Sequence, residues 1–120
     1  MIDRGVRNFQ KNLNGGLVAL ILLAALDRSG EDLYGYEIAK RLAIANGGTS
    51  IFKEGTIYPV LRALSAKGLL SSRIVPSYAG PARRYYRITE QGRLVLAEWK
   101  AIWRGTRSFV DHFVDIVTVP

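Results

Sequence analysis

A mainly α-helical fold carrying one β-hairpin is predicted by three observations. Apolar residues recur at helical spacing through most of the chain. Only Leu69–Val75 and Arg83–Ile88 have the β-branched and aromatic content of paired strands. Behind an N-terminal amphipathic segment the elements run helix, helix, helix, hairpin, long helix, which is the order of a winged helix-turn-helix with a long C-terminal helix appended. Size agrees, since 120 residues at 48% hydrophobic content suffice for one core without a covalent or metal staple. The absence of cysteine excludes disulfides, thiolate-bound zinc, iron–sulfur clusters and thiol catalysis.

Ile2, Val6, Phe9 and Leu13 are spaced by 4, 3 and 4 residues and place one narrow apolar stripe on an N-terminal helix. Gly15 and Gly16 are expected to stop it. A second, buried helix then covers about residues 16–28 through LVALILLAAL, a run of ten residues, short of the roughly 18 expected of a membrane-spanning helix. No membrane association is expected, and no small-residue cleavage site of a secretory leader follows the run. The polar stretch DRSGEDLYG reads as a connection. From Tyr36 to Ala45 a helix should turn Ile38, Ala39 and Leu42 inward, and Asn46, Gly47 and Gly48 should end it. The next helix begins near Lys53 to Gly55 and ends at Gly68. Pro59 requires that it start only a few residues earlier, because proline is tolerated in a first turn and not beyond. Ile57, Val60, Leu61 and Leu64 form its apolar face, and Tyr58, Pro59, Arg62 and Ala66 lie opposite. Glu54 sits at its start, where a negative charge suits the helix dipole.

The two strands flank Pro76 to Ala82, a long hairpin tip, and the second carries Arg83, Arg84 and Arg87 interleaved with Tyr85 and Tyr86. Thr89 is placed to cap the last helix. There Val95, Trp99, Ile102, Thr106, Phe109, Phe113 and Ile116 repeat at spacings of 4 and 3, a heptad seam. Flanked by Leu96, Trp103, Val110, Val114 and Val117, the seam is wider than one small domain can cover, so a second copy of the helix is the expected cover, with the N-terminal stripe as another. The chain therefore divides into residues 1–89, an N-terminal helix with the DNA-binding winged helix-turn-helix, and residues 90–120, a C-terminal dimerisation helix.

Seventeen Lys and Arg against ten Asp and Glu give +7, which suits an anionic partner. On the winged reading Thr56, Tyr58, Pro59 and Arg62 face a major groove, where Arg62 can pair with a guanine edge and Thr56 and Tyr58 can meet phosphate or a thymine methyl. Arg83 and Arg84 beside the Gly-Pro tip suit backbone phosphates better than bases, because a mobile loop holds charge near a duplex without fixing a base-reading geometry; the plainer reading is a solvated strand edge whose charges deter aggregation. Trp99 and Trp103, one turn apart, can line an aromatic effector site at the dimer centre or simply fill an interface. His112 with Asp111 and Asp115 reads as helix surface before it reads as metal ligand. No Ser/His/Asp or P-loop spacing occurs, so no catalytic residue, metal or cofactor is expected. A ligand-binding or interaction module without specific DNA recognition is the alternative.

The segments LVALILLAAL, YGYEIAKRL from Tyr34, EGTIYPVLRALSAKGLL from Glu54 and GPARRYYRITEQGR from Gly80, in this order, resemble the PadR family of transcriptional regulators over about Gly15 to Trp103. The resemblance implies a winged-helix domain, a single C-terminal dimerisation helix, and a cytoplasmic homodimer that represses by binding a pseudo-palindromic operator in double-stranded DNA. It further implies release by a small aromatic or hydrophobic effector. In multidrug-responsive relatives a tryptophan from each subunit lines a pore at the dimer interface, and counting from YYRIT that position falls on Trp103.

Overall fold

A computed structural model describes residues 2–48 and 52–115. The side chain of Ile2, together with Ile116 and Val117 of the expected seam, lies outside the described residues. The elements are α1 (Ile2–Ser29), β1 (Leu33–Tyr34), α2 (Gly35–Ala45), α3 (Glu54–Ala66), β2 (Leu70–Val75), β3 (Arg83–Ile88) and α4 (Glu90–Val114). Leu22, Leu23, Leu26, Leu33, Ile38, Ile57, Leu61, Leu70 and Leu96 are each less than 2% exposed, so α1, β1, α2, α3, β2 and α4 all feed one core. Each such side chain contributes about 1.5–3 kcal/mol by leaving water.

The expected break at Gly15 and Gly16 does not occur, and α1 runs through both. Neither has the positive φ of a helix stop, and a Cβ at either would meet nothing within 4 Å. Two mid-helix glycines cost about 1 kcal/mol each, a penalty the flanking sequence overrides. Val18, Leu22, Leu23 and Leu26 anchor the C-terminal half in the core, while Val6 and Phe9 in the other half are exposed. By length and apolarity α1 could cross a membrane, but its buried face packs on α3, α4 and β3.

The stretch expected to be only a connection contains β1, which pairs antiparallel with β3 (Leu33 opposite Tyr86, Tyr34 opposite Tyr85) and makes the hairpin a three-stranded sheet of order β1-β3-β2. Two residues carry no readable alternation, so the strand exists only through its partner. It leads straight into α2, where Glu37 Oε1 accepts a 3.2 Å hydrogen bond from the Tyr34 N–H. The helix stops where expected, at Gly47 (φ 71°) and Gly48 (φ 95°).

In α3 the residues Ile57, Leu61 and Leu64 are buried and Val60 is half-buried, as the apolar face required. Pro59 is not in the first turn, however. It is the sixth residue of the helix, so the Gly55 carbonyl has no N–H from Pro59 to accept. Gly68 (φ 77°) ends the helix and lets the Leu69 N–H donate to the Leu64 carbonyl at 3.0 Å. In the sheet, Leu70, Tyr86 and Ile88 face the core, whereas Ser71, Arg73, Tyr85 and Arg87 lie on the outer face.

Thr89 caps α4 as expected, its Oγ1 accepting from the Gly92 N–H at 2.9 Å and donating to the Gly68 carbonyl at 2.7 Å. The Thr89 N–H donates to the Leu69 carbonyl at 3.1 Å, so the end of α3, the end of β3 and the start of α4 meet at one knot. Only part of the heptad seam needs an outside cover. Leu96 is buried in this chain's own core with Val95 and Trp99 packed against it, while Ile102, Phe109 and Phe113 are about two-thirds exposed.

Gly92 is the tightest point of the knot, because a Cβ there would come within 2.1 Å of the Leu69 carbonyl oxygen and 2.8 Å of Ile88 Cγ1. Gly92→Ala should therefore destabilise the fold by about 1–3 kcal/mol despite alanine's better helix propensity. Thermal or denaturant unfolding checks this, and wild-type stability would mean that the junction yields without cost.

Candidate nucleic-acid interface

The solvent face of α3 is built from what burial leaves over. With Ile57, Leu61 and Leu64 turned inward, Gly55, Thr56, Pro59, Arg62, Ala63 and Ala66 are exposed. Apart from Arg62 these side chains are small, so the helix backbone can approach another surface closely. The face carries no carboxylate beyond Glu54 at its start.

Beside this face, between the start of α2, the first half of α3 and β3, lies a cleft of about 320 Å³. It is lined by Tyr34, Tyr36, Tyr58, Arg62, Arg83 and Arg84, over a floor of Gly35 and Tyr86. Among the described residues none of these three arginines forms an ion pair with a carboxylate. Three guanidinium groups around a concave surface without a carboxylate partner give the cleft a positive potential.

Tyr58 does not simply point outward. Its ring lies over Gly35, where a Cβ would come 2.0 Å from its Cε1, and it packs on the core. Burial, then the negative charge of Glu54, then Tyr86, hold its phenol above the ordinary tyrosine range. The hydroxyl therefore remains protonated, and a donor, at neutral pH. Arg83 and Arg84 are consecutive in β3 and leave the strand on opposite faces. Arg84 Nη1 donates to Ser72 Oγ at 3.1 Å on the α3 side of the wing, and Arg62 and Arg84 also flank a second hollow next to Ser65 and Ala66. Arg83 takes the outer side, its Cζ 4.5 Å from the centre of the Tyr34 ring. Both line the cleft.

Arg87 belongs elsewhere. Asp32, 17% exposed, accepts hydrogen bonds from Arg87 Nε and from Arg73 Nε, the latter at 2.8 Å. The Arg73 hydrogen bond first, then Arg87, hold the Asp32 carboxyl below the usual aspartate range against the opposing effect of burial. With the folded value depressed, this clamp stabilises the fold above the ordinary aspartate range and is lost as pH falls through the folded value.

Four of the six residues expected to contact DNA, Tyr58, Arg62, Arg83 and Arg84, are thus brought to one cleft, and Thr56 and Pro59 lie on the adjoining outward face of α3. Sequence reasoning missed Tyr34, Gly35 and Tyr36. An aromatic–glycine–aromatic step at the head of a helix was the available signal, legible only once β1 is known to lie on β3. Trp99 and Trp103 sit apart, in a mainly apolar hollow of about 420 Å³ between α1 and α4 with Leu13, Leu17, Leu20 and Ile102. His112 packs edge-on to Phe113, with ring centres 5.1 Å apart, and among the described residues no three His, Asp or Glu side chains gather as metal ligands.

Residues 22–98, which include α2, α3, the wing and the cleft between them, match the Transcriptional regulator PadR-like family. The chain belongs to this family. An uncharacterised protein from Lysinibacillus sphaericus is 30% identical over 103 residues, 86% of this chain and 92% of that one. A crystal structure of a PadR family transcriptional regulator from Eggerthella lenta superposes with a TM-score of 0.80 at 30% identity, covering 96% of each chain. A transcriptional regulator from Clostridium thermocellum gives 0.78 at 30% identity over 87% of this chain and 99% of its own. PadR of Bacillus subtilis, solved in complex with operator DNA, shares the fold at a TM-score of 0.61 and 24% identity, over 69% of this chain and 46% of that one. The family is one of transcriptional regulators.

The Gly35–Tyr58 contact shapes this PadR-like cleft and can be isolated by a double-mutant cycle. Gly35→Ala should cost about 1–3 kcal/mol in the wild type. It should cost clearly less in a Tyr58→Ala background, where the obstructing ring is gone. Equal costs in the two backgrounds would show that the ring does not rest on Gly35.

Proposed function

We propose that this chain is a sequence-specific DNA-binding repressor that works as a cytoplasmic homodimer. The observation that carries the reading is the outward face of α3, small, free of carboxylates beyond its first residue and bearing Arg62, merging into a cleft ringed by Arg62, Arg83 and Arg84. Such a helix fits a major groove, and such a cleft fits the phosphates on its rim. PadR of Bacillus subtilis, which shares the fold, is solved on operator DNA, and this supports DNA as the partner. In this reading Arg62 pairs with a guanine edge and Thr56 and Pro59 pack against bases and thymine methyls. Tyr58 donates its hydroxyl to a phosphate, and Arg83 and Arg84 hold the backbone on either side of the wing. Residues 1–89 do the reading and residues 90–120 join two copies. Ile102, Phe109 and Phe113 supply the joining surface, with Val6 and Phe9 as further cover. An apolar stripe left this open in one chain is stable only against another apolar surface. Two reading helices then meet a pseudo-palindromic operator in double-stranded DNA.

Mobility shift on the chain's own upstream DNA tests the reading. Arg62→Ala should lose about 1–3 kcal/mol on that DNA and little on a random duplex. Equal losses on both would remove Arg62 from base recognition. The hollow beside Trp99 and Trp103 is the proposed seat of a planar aromatic effector that favours a dimer with differently spaced reading helices. Quenching of tryptophan fluorescence by planar aromatics is the expected signal, and none across a panel would indicate an interface without an effector.

A further inference from the structure

The wing carries four arginines, and the structure treats them unequally. Arg84 faces α3, while Arg73, Arg83 and Arg87 lie on the outer face of the sheet. Arg73 stands opposite Tyr85, two residues from Arg83 and so about 7 Å along the strand; Arg87 is four residues from Arg83, about 14 Å away. Left to themselves, all three outer arginines would reach one stretch of DNA backbone. They are not left to themselves. β1 lies along β3, and outer-face side chains in and just before it take all three. Asp32, just before the strand, takes Arg87 and Arg73, and Tyr34 takes Arg83 through the ring contact. Arg73 is further held over the Tyr85 ring at 5.3 Å. The difference between the two holds is chemical. A ring face leaves a guanidinium its full charge and its N–H donors, whereas a carboxylate removes a charge and occupies donors.

We propose that Asp32 is a positioning residue that withholds Arg73 and Arg87 from DNA phosphates, so that the wing's usable charge is confined to Arg83 and Arg84 at the mouth of the cleft. This rests on the DNA-binding reading above. Phosphate contacts carry no sequence information, so every withheld arginine lowers affinity for any duplex, random DNA included, and leaves base recognition to α3. Removing a stabilising carboxylate would ordinarily weaken binding. Here it should strengthen non-specific binding, an outcome that a merely structural role does not produce.

The test compares the wild type, Asp32→Asn, and Asp32→Asn combined with Arg73→Gln and Arg87→Gln. Each is titrated across salt concentrations on the chain's own upstream DNA and on a random-sequence duplex, with thermal unfolding as a check on folding. Asp32→Asn should bind the random duplex about tenfold more tightly at low salt, with a log–log salt slope steeper by about one to two units. Affinity for the upstream DNA should rise by a similar factor, and the triple variant should return to the wild-type slope. A folded Asp32→Asn protein with an unchanged or shallower slope on random DNA overturns the proposal. Should Asp32→Asn fail to fold, Arg73→Gln with Arg87→Gln in the wild-type background decides the matter. An unaltered slope supports the withholding, and a slope shallower by about two overturns it. If the wild type shows no preference for its upstream DNA, the sequence-specific reading fails separately, while the random-duplex slopes still judge Asp32.

Discussion

Tyr86 and Ile88 on one face of β3 are buried in the same core as Leu61 and Leu64 of α3, and this shared burial sets everything that bears on function. It fixes a charged wing beside a helix whose other face is open to solvent. Without it, Arg84 and Arg62 would sit on independently moving elements, and the cleft between them would have no fixed width. The knot at Thr89 and Gly92 ties the same two elements to α4 through the Gly68 and Leu69 carbonyls. Any change in the direction of α4 is thereby conveyed to the end of α3 through backbone hydrogen bonds rather than through flexible side chains. That is the mechanical requirement for a long helix to set how two reading helices stand relative to each other.

Charge is arranged with similar economy. The chain carries +7, but its usable positive charge is not spread evenly over the wing. Asp32 engages two arginines at the base of the sheet, and Tyr34 supports a third without neutralising it. The result is a gradient along the hairpin, from compensated at its root to uncompensated near its tip. Net charge alone would give a protein that binds any duplex; the placement of one carboxylate and one tyrosine limits where that attraction acts.

Much of this was legible in the sequence because it rests on periodic burial or strong local punctuation. The faces of α2 and α3, the stops at Gly47, Gly48 and Gly68, both hairpin strands and the Thr89 cap are of this kind. What was not legible rests on tertiary pairing. Gly15 and Gly16 look like a boundary, yet the core anchored by Val18 to Leu26 carries the helix through them. β1 is two residues long and is a strand only because β3 lies beside it. The same pairing brings Tyr34, Gly35 and Tyr36 to the cleft and sets Arg87, on Asp32, apart from Arg83 and Arg84. Pro59 shows the limit of a local rule, since its missing hydrogen bond is tolerated one turn deeper into α3 than propensity allows. On α4, Leu96 beside the seam belongs to this chain's own core, while Ile102, Phe109 and Phe113 of the seam remain uncovered in one chain.

The central claim is that two copies, joined through the exposed half of α4, present two α3 helices to one stretch of DNA. Hydroxyl-radical footprinting of the wild-type protein on its own upstream DNA measures this directly. Two protected half-sites related by a two-fold axis, with centres about one helical turn or a multiple of it apart, are the expected pattern. A single protected tract without two-fold symmetry, or uniform weak protection along the fragment, would contradict it.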